Sequence, residues 1–206
     1  MCAKDYRTQA WSQLSGNWGI MVLASLIYAI LISALSTTAI GAIVLLGPLT
    51  VGYVTVTLML ARGEKPRLEA MFEGIGTHFV DRMLALLLTS IYTFLWSLLF
   101  IIPGIIKAYS YSMVPYILRD HPEMTATEAI NRSREIMNGR KWNLFCLQFS
   151  FIGWILLCGL TFGILTLWVY PYMQQAEANF YESIKDEPTP ATFTDHSDHT
   201  DGTQAL

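Results

Sequence analysis

The sequence predicts an all-α, polytopic integral membrane protein with about six transmembrane helices arranged as three hairpins, each preceded by an interfacial amphipathic helix. Three observations lead there. First, the 206 residues are 53% hydrophobic and only 14% charged, against about 25% charge in soluble domains. Second, no Asp, Glu, Lys or Arg occurs from Thr8 to Ala61 or from Trp142 to Ala176, and a water-soluble fold needs a solvated face on stretches of that length. Third, the positive charges are segregated. Of 13 Lys and Arg residues, all but Lys107 fall in the groups Lys4/Arg7, Arg62/Lys65/Arg67/Arg82, Arg119/Arg132/Arg134/Arg140/Lys141 and Lys185. Each gap between groups is apolar and long enough for two crossings at roughly 17–25 residues each. With all four groups in the cytoplasm, each gap becomes a hairpin with a short, uncharged outer turn.

The elements follow in order. Tyr6, Ala10, Trp11 and Leu14 share one face of an amphipathic helix. The first hairpin uses Trp18–Leu35 and Ile43–Ala61, turning through Ser36, Thr37, Thr38 and Gly41, which suit a turn. Leu68, Met71, Phe72, Ile75 and Phe79 recur at helical spacing before the second hairpin. That hairpin covers Met83–Leu118 and breaks at Pro103-Gly104, where proline interrupts the helical ladder and glycine accepts the turn. Its return arm, Ile105–Leu118, is about 21 Å long, short of the ~30 Å hydrocarbon core, so it is either a short crossing or half of a re-entrant pair. Thr125-Ala-Thr-Glu128 has capping-box spacing. Ala126, Ala129, Ile130, Ile136 and Met137 then line one side, Glu128, Arg132 and Glu135 fall elsewhere, and Asn138-Gly139 stops the helix. The third hairpin uses Leu144–Leu160 and Gly163–Phe180, turning near Gly159–Gly163, with Pro171 expected to kink its second arm.

The chain thus divides into a membrane domain, 1–185, of three units (1–62, 63–119, 120–185) and a tail, 186–206. The tail carries Asp186, Glu187, Asp195, Asp198 and Asp201 with few large apolar residues and reads as solvated and disordered. Gly16-Asn17-Trp18 and Gly139-Arg140-Lys141-Trp142 echo one another, although recurrent interfacial Trp and Tyr alone generate much of that similarity. An odd set of cysteines, Cys2, Cys146 and Cys158, forms no disulfide framework. The first apolar run is as long as a full span and lacks a cleavage site, so the first helix is retained rather than removed as a leader.

The candidate ligand or lipid residues lie on the return arm of the second hairpin. An intramembrane charge is a functional hypothesis by default, and Lys107 is the one basic residue inside an apolar run. It either snorkels to the outer headgroups about one turn away or binds a ligand or lipid phosphate. Tyr109, Tyr111 and Tyr116, with Ser110 and Ser112, follow it and mark a helix facing other helices or a wet cavity. Pro103, Gly104, Pro115 and Pro171 are the expected structural hinges. Glu177 is the one acid near a span, reads as an interfacial carboxylate, and is not expected to pair with Lys107. His78 stands alone, the tail's Asp195-His196-Ser-Asp198-His199 is a weak metal candidate at most, and Asn131-Arg-Ser133 is a glycosylation pattern on the wrong side of the membrane. No zinc-protease, nucleophile-elbow or phosphate-loop motif occurs. The expectation is therefore no enzyme, no metal and no cofactor. The expected partners are membrane lipids or another membrane protein, and not nucleic acid.

The stretch Phe100-Ile-Ile-Pro-Gly-Ile-Ile-Lys-Ala-Tyr-Ser-Tyr-Ser-Met-Val-Pro-Tyr-Ile-Leu118 resembles domain of unknown function 975, a family of uncharacterised bacterial integral membrane proteins. The likeness continues through Thr127-Glu-Ala-Ile130, Ser133-Arg-Glu-Ile-Met137, Lys141-Trp142, Phe151-Ile-Gly-Trp154, Trp168-Val-Tyr-Pro-Tyr-Met173 and Phe180-Tyr-Glu182. With Asn17-Trp18-Gly19 it covers about residues 5–183. The resemblance implies a multipass protein of the bacterial cytoplasmic membrane and assigns no catalytic residue. A looser similarity to membrane domains attached to some glycerophosphodiester phosphodiesterases implies an accessory role near lipid metabolism. The leading expectation is a non-enzymatic scaffold or envelope accessory factor; the alternative is a small-molecule or lipid transporter using the Lys107/Tyr109 region.

Overall fold

A computed structural model describes residues 3–36, 39–72, 79–99, 101–161 and 163–186, and every regular element among them is helical. His78, Cys2 and the 187–206 part of the tail lie outside the described residues. The chain opens with α1 (Ala3–Leu14), whose Tyr6, Ala10 and Leu14 are buried as its spacing requires. The fourth residue of that face, Trp11, is instead half exposed and lies edge-on to Trp18 and Tyr172. Gly16, at φ 91°, turns the chain by 101° into α2 (Trp18–Ser36). A residue with a side chain is strained at that φ.

The long α3 (Ala39–Ala61) forms the spine. The segment after it is not a free interfacial helix. Leu68–Met71 is a single 3-10 turn with Ala70 and Met71 fully buried. It doubles back along α3, where Gly52 meets the Met71 carbonyl and Gly47 meets the backbone of Arg82 and Met83. Of the predicted amphipathic face, Met71 is buried with its backbone against Gly52, Phe72 is 48% exposed, and Ile75 lies outside the described residues. Arg82, grouped with Arg62 along the sequence, is buried at 7% exposure, whereas the Arg62 side chain is 30% exposed.

The second hairpin is built from α4 (Phe79–Leu99) and the short α5 (Ile101–Tyr111). Pro103 and Gly104 do not form the turn between them. Pro103 sits in the first turn of α5, where its missing N–H has no helical partner to lose. Gly104 is buried against Ser97, whose Cα would lie 2.7 Å from an added Cβ. The hinge expected here is a helix-packing contact. After a break at Ser112-Met113 comes α6 (Val114–Asp120), with Pro115 in its first turn. At 11 residues α5 is about 16 Å long and does not cross a bilayer by itself.

The third unit begins with α7 (Ala126–Ile136), which buries Ala126, Ala129, Ile130, Ser133 and Ile136. Its capping box is complete: the Thr125 hydroxyl accepts from the Glu128 N–H and Glu128 accepts from the Thr125 N–H. That backbone bond holds the Glu128 carboxyl below its ordinary range. The contribution is therefore present above the ordinary carboxylate range and lost as pH falls through the lowered value. Thr125→Ala should lower hydrogen-exchange protection at Glu128 and Ala129 about fivefold, with no change elsewhere in α7, as amide exchange would show. Gly139, at φ 75°, ends the unit's amphipathic part as Gly16 does the first.

α8 (Lys141–Phe149) and α9 (Ile152–Leu160) follow in near continuity. Arg7 holds their junction: its Nη1 donates to the Ser150 carbonyl at 3.3 Å and its guanidinium lies 5.2 Å from the Phe151 ring centre. The last helix, α10 (Thr166–Ile184), keeps Pro171 inside it and buries that residue. It packs on α1, α2, α3, α8 and α9, so α3 and α10 form the centre and α1 closes the two chain ends together. Tyr6 bonds Ser183 (2.9 Å) and the Tyr172 hydroxyl donates to the Arg7 carbonyl (3.2 Å).

Among the described residues, two stretches are long and apolar enough to cross a membrane, Phe79–Leu98 and Lys141–Leu160. A third is counted if the bent pair of α1 and α2 forms one span. The predicted six are not matched. The return arm of the second hairpin is broken into α5 and α6, and α10 carries Gln174, Gln175, Glu177, Asn179 and Glu182 in its second half.

Candidate functional site

The ends of α3, α6 and α10 meet in one charged junction. Arg62, just after α3, donates through Nη2 to both Asp120 oxygens (2.8 and 2.7 Å) and through Nε to Glu182 (2.8 Å). Lys185 reaches the other Glu182 oxygen at 2.9 Å, and the Tyr181 hydroxyl donates to Asp120 at 3.1 Å. Burial opposes the charged guanidinium, but Asp120 and Glu182 outweigh it and raise its proton affinity. A cleft of about 310 Å³ beside the junction is lined by Arg62, Asp120, His121, Arg132 and Lys185 among others.

About 8 Å back along α10 lies a second polar centre. Glu177 is half-buried and accepts from the Gln148 Nε2 of α8 at 2.7 Å; the Oε1 of the same amide accepts from the Tyr109 hydroxyl of α5 at 2.7 Å. The fully buried Tyr116 of α6 stacks on Tyr181 with ring centres 5.2 Å apart. Its hydroxyl lies within electrostatic reach of Glu177, Tyr170 and Tyr53 and has no hydrogen-bond partner among the described residues. Asn179, at 3% exposure, has neither amide atom bonded. Tyr53 in turn shares a hydrogen bond with Ser25 (2.8 Å), and Tyr28 stacks over Tyr170 at 6.2 Å. Ser25, Tyr28 and Tyr170 also line a groove of about 700 Å³ between α2 and the start of α10, with Ala29, Ile32, Ile164 and Leu167 among its other walls. Hydroxyl-bearing side chains thus lie both at the groove by the start of α10 and near the Glu177 carboxylate further along it.

The structure brings Tyr109 and Tyr116 together around Glu177 and leaves Lys107 and Tyr111 aside. Lys107 lies over the Trp96 ring, 4.9 Å from its centre, and Lys141 is within electrostatic reach of it and of Arg134. Tyr111 is buried with its ring 6.4 Å from that of Tyr92. Lys107 and Glu177, read as lying near opposite faces, are linked in the chain by one step: Tyr109, two residues after Lys107, reaches Glu177 through the Gln148 amide. The sequence reading missed Gln148 altogether. Its signal was present as a lone amide within the apolar run Leu144–Leu160, and polar groups in such runs rarely lack a partner. Among the described residues, no three His, Cys, Asp or Glu side chains are grouped to hold a metal ion.

No curated protein and no solved structure matches the chain. A family model described as a protein of unknown function, DUF975, matches residues 1–110 and 98–188. Together the two matches span the helical domain from α1 to beyond the Arg62 junction and stop before most of the acidic tail. The chain belongs to the DUF975 family.

Proposed function

We propose that the chain is a multipass protein of the bacterial cytoplasmic membrane, with six membrane-embedded helices in three hairpins and both termini in the cytoplasm, and that it serves as a non-enzymatic accessory or scaffolding factor. The observation that best supports this reading is the Arg62 junction. It ties together the ends of α3, α6 and α10, the second arm of each unit. Hairpins whose second arms finish at one place return their connectors to one compartment, and the Lys/Arg excess in those connectors supports a cytoplasmic one. The 101° bend between α1 and α2 lays the charged α1 along the surface if α2 crosses. Phe94 and Leu98 on α4 and Leu156 and Leu160 on α9 are 69–77% exposed, as lipid or a second membrane protein requires. The groups that converge on Glu177 are an amide and phenols, with no nucleophile held against a base.

Single cysteines placed in an otherwise cysteine-free chain test the topology. Glu64→Cys and Glu123→Cys, both at exposed positions, should react with a membrane-impermeant maleimide only after the cytoplasmic membrane is opened. Ile164→Cys, 72% exposed, should react in cells whose cytoplasmic membrane is intact. Labelling of Glu64→Cys and Glu123→Cys from opposite faces would sink the proposal. The Tyr109–Gln148–Glu177 line favours a second reading, a carrier of a small amphiphile. Flux through reconstituted protein that is unchanged by Tyr109→Phe and Lys107→Ala removes it.

A further inference from the structure

We infer that Glu177 is a reversible proton-binding site, and that the Gln148 amide registers its charge by turning over between Glu177 and Tyr109. The inference stands apart from the scaffold and carrier readings, since it concerns the state of the membrane domain itself.

The geometry restricts what can neutralise Glu177. Its one hydrogen-bond partner among the described residues is the Gln148 amide. Cations on the elements packed on α10 make contacts of their own: Arg7 of α1 with Ser150 and Phe151, Arg62 at the end of α3 with Asp120 and Glu182, Arg140 before α8 with the Ile184 carbonyl, while Lys141 of α8 lies within electrostatic reach of Lys107 and Arg134. The titratable groups that do face it are Tyr109 from α5, Tyr116 from α6 and Tyr170 of α10 itself. The amide supplies a hydrogen bond and the three phenols lie within electrostatic reach, but none of the four brings a positive charge. A carboxylate so placed is costly to keep ionised without a counter-charge, and the proton is the counter-charge that needs no further ligand. A metal cation would want several oxygens, whereas Gln148 turns its N–H toward the acid.

The amide gives the site two self-consistent states. With Glu177 ionised, the Gln148 N–H donates to it and the Gln148 oxygen accepts from Tyr109, each at 2.7 Å. With Glu177 protonated, its O–H donates to the Gln148 oxygen once the amide has rotated by half a turn about χ3, and the amide N–H then donates to the Tyr109 oxygen. The Tyr109 proton is thereby released from the relay to point elsewhere on α5. Tyr116, buried with an unbonded hydroxyl in electrostatic reach of Glu177, is a second phenol free to reorient with the change. One proton is gained or lost, and no group other than Glu177 changes its charge.

Infrared difference spectroscopy on the full chain in lipid nanodiscs tests this, using proton and deuteron titration as the probe. The wild type should show a protonated-carboxyl C=O band that titrates, and Glu177→Gln should lose it while Glu182→Gln keeps it. Gln148→Leu removes the donor to the ionised form and should move the midpoint about one pH unit toward higher pH, from the usual strength of a hydrogen bond to a charged group. Tyr109→Phe should move it measurably and alter the amide band of Gln148. If Glu177→Gln fails to fold, Gln148→Leu and Tyr109→Phe still decide the matter, because neither removes the acid. A titrating band that survives Glu177→Gln, or a midpoint indifferent to both Gln148→Leu and Tyr109→Phe, overturns the inference.

Discussion

Gly52→Ala is expected to prevent the domain from reaching its folded state, with no dispersed, monodisperse material recovered from mild detergent. The residue lies in the middle of α3, and a Cβ there would overlap the Met71 carbonyl oxygen and stand 2.7 Å from its carbon. The clash is with backbone, so no side chain can rotate out of the way. Met71 cannot retreat either, because Met71 and Ala70 are buried at 0% and 1% exposure in the core. Overpacking a core commonly costs about 1–3 kcal/mol even where side chains can yield. Here the 62–72 connector would have to lift off α3, and the expected loss exceeds about 4 kcal/mol, in the range reserved for broken architecture. Gly153→Ala is the internal control. Nothing lies within 4 Å of its added Cβ, and alanine in a helix gains about 0.5–1 kcal/mol over glycine. Thermal unfolding followed by intrinsic fluorescence separates the two: Gly153→Ala should unfold no lower than the wild type. A Gly52→Ala protein that unfolds within about 2 °C of the wild type would show that the connector does not dock on α3.

What was legible in the sequence was what local chemistry decides. The capping box at Thr125/Glu128, the stop at Gly139, the start of α2 at Trp18 and the end of α3 at Ala61 each follow from a few neighbouring residues. The all-helical class followed from composition. The misreadings share a cause, which is that the deciding partner is distant in the chain. The spacing of Leu68, Met71 and Phe72 is the same whether or not Met71 lies against α3, and Gly52 decides it. Pro103 is the exception: it reads as a turn until Gly104 is seen against Ser97, only seven residues back. Arg82 belongs to a basic group along the sequence but is buried, its backbone against Gly47. Of the site, Tyr109 and Tyr116 could be proposed because hydroxyls crowd one short stretch of sequence. Glu177 and Gln148 could not be joined to them, because the link spans 29 residues on one side and 39 on the other.

Arg62→Met should destabilise the domain by about 2–3 kcal/mol, and almost all of that loss should be traceable to Asp120. Removing one partner of a buried ion pair costs about 3–5 kcal/mol; Arg62 is 30% exposed, so solvent screening reduces the figure. The two acids are not left equally bare. Glu182 retains Lys185 at 2.9 Å, while Asp120, only 13% exposed, is left with the Tyr181 hydroxyl at 3.1 Å. Asp120→Asn removes that stranded charge, so the double substitution Arg62→Met/Asp120→Asn should recover more than half of the loss, whereas Arg62→Met/Glu182→Gln should recover little. Denaturant or thermal unfolding in a fixed detergent, arranged as two double-mutant cycles, measures both couplings. High salt should weaken the Arg62–Asp120 coupling in part, because Arg62 is 30% exposed and open to counterions while Asp120 is only 13% exposed. The ends of α3, α6 and α10 should then separate together in Arg62→Met, with faster amide exchange in all three. A coupling below about 0.3 kcal/mol, or faster exchange in α3 alone, would mean that the three helix ends are held by apolar packing and that the charged junction only decorates it.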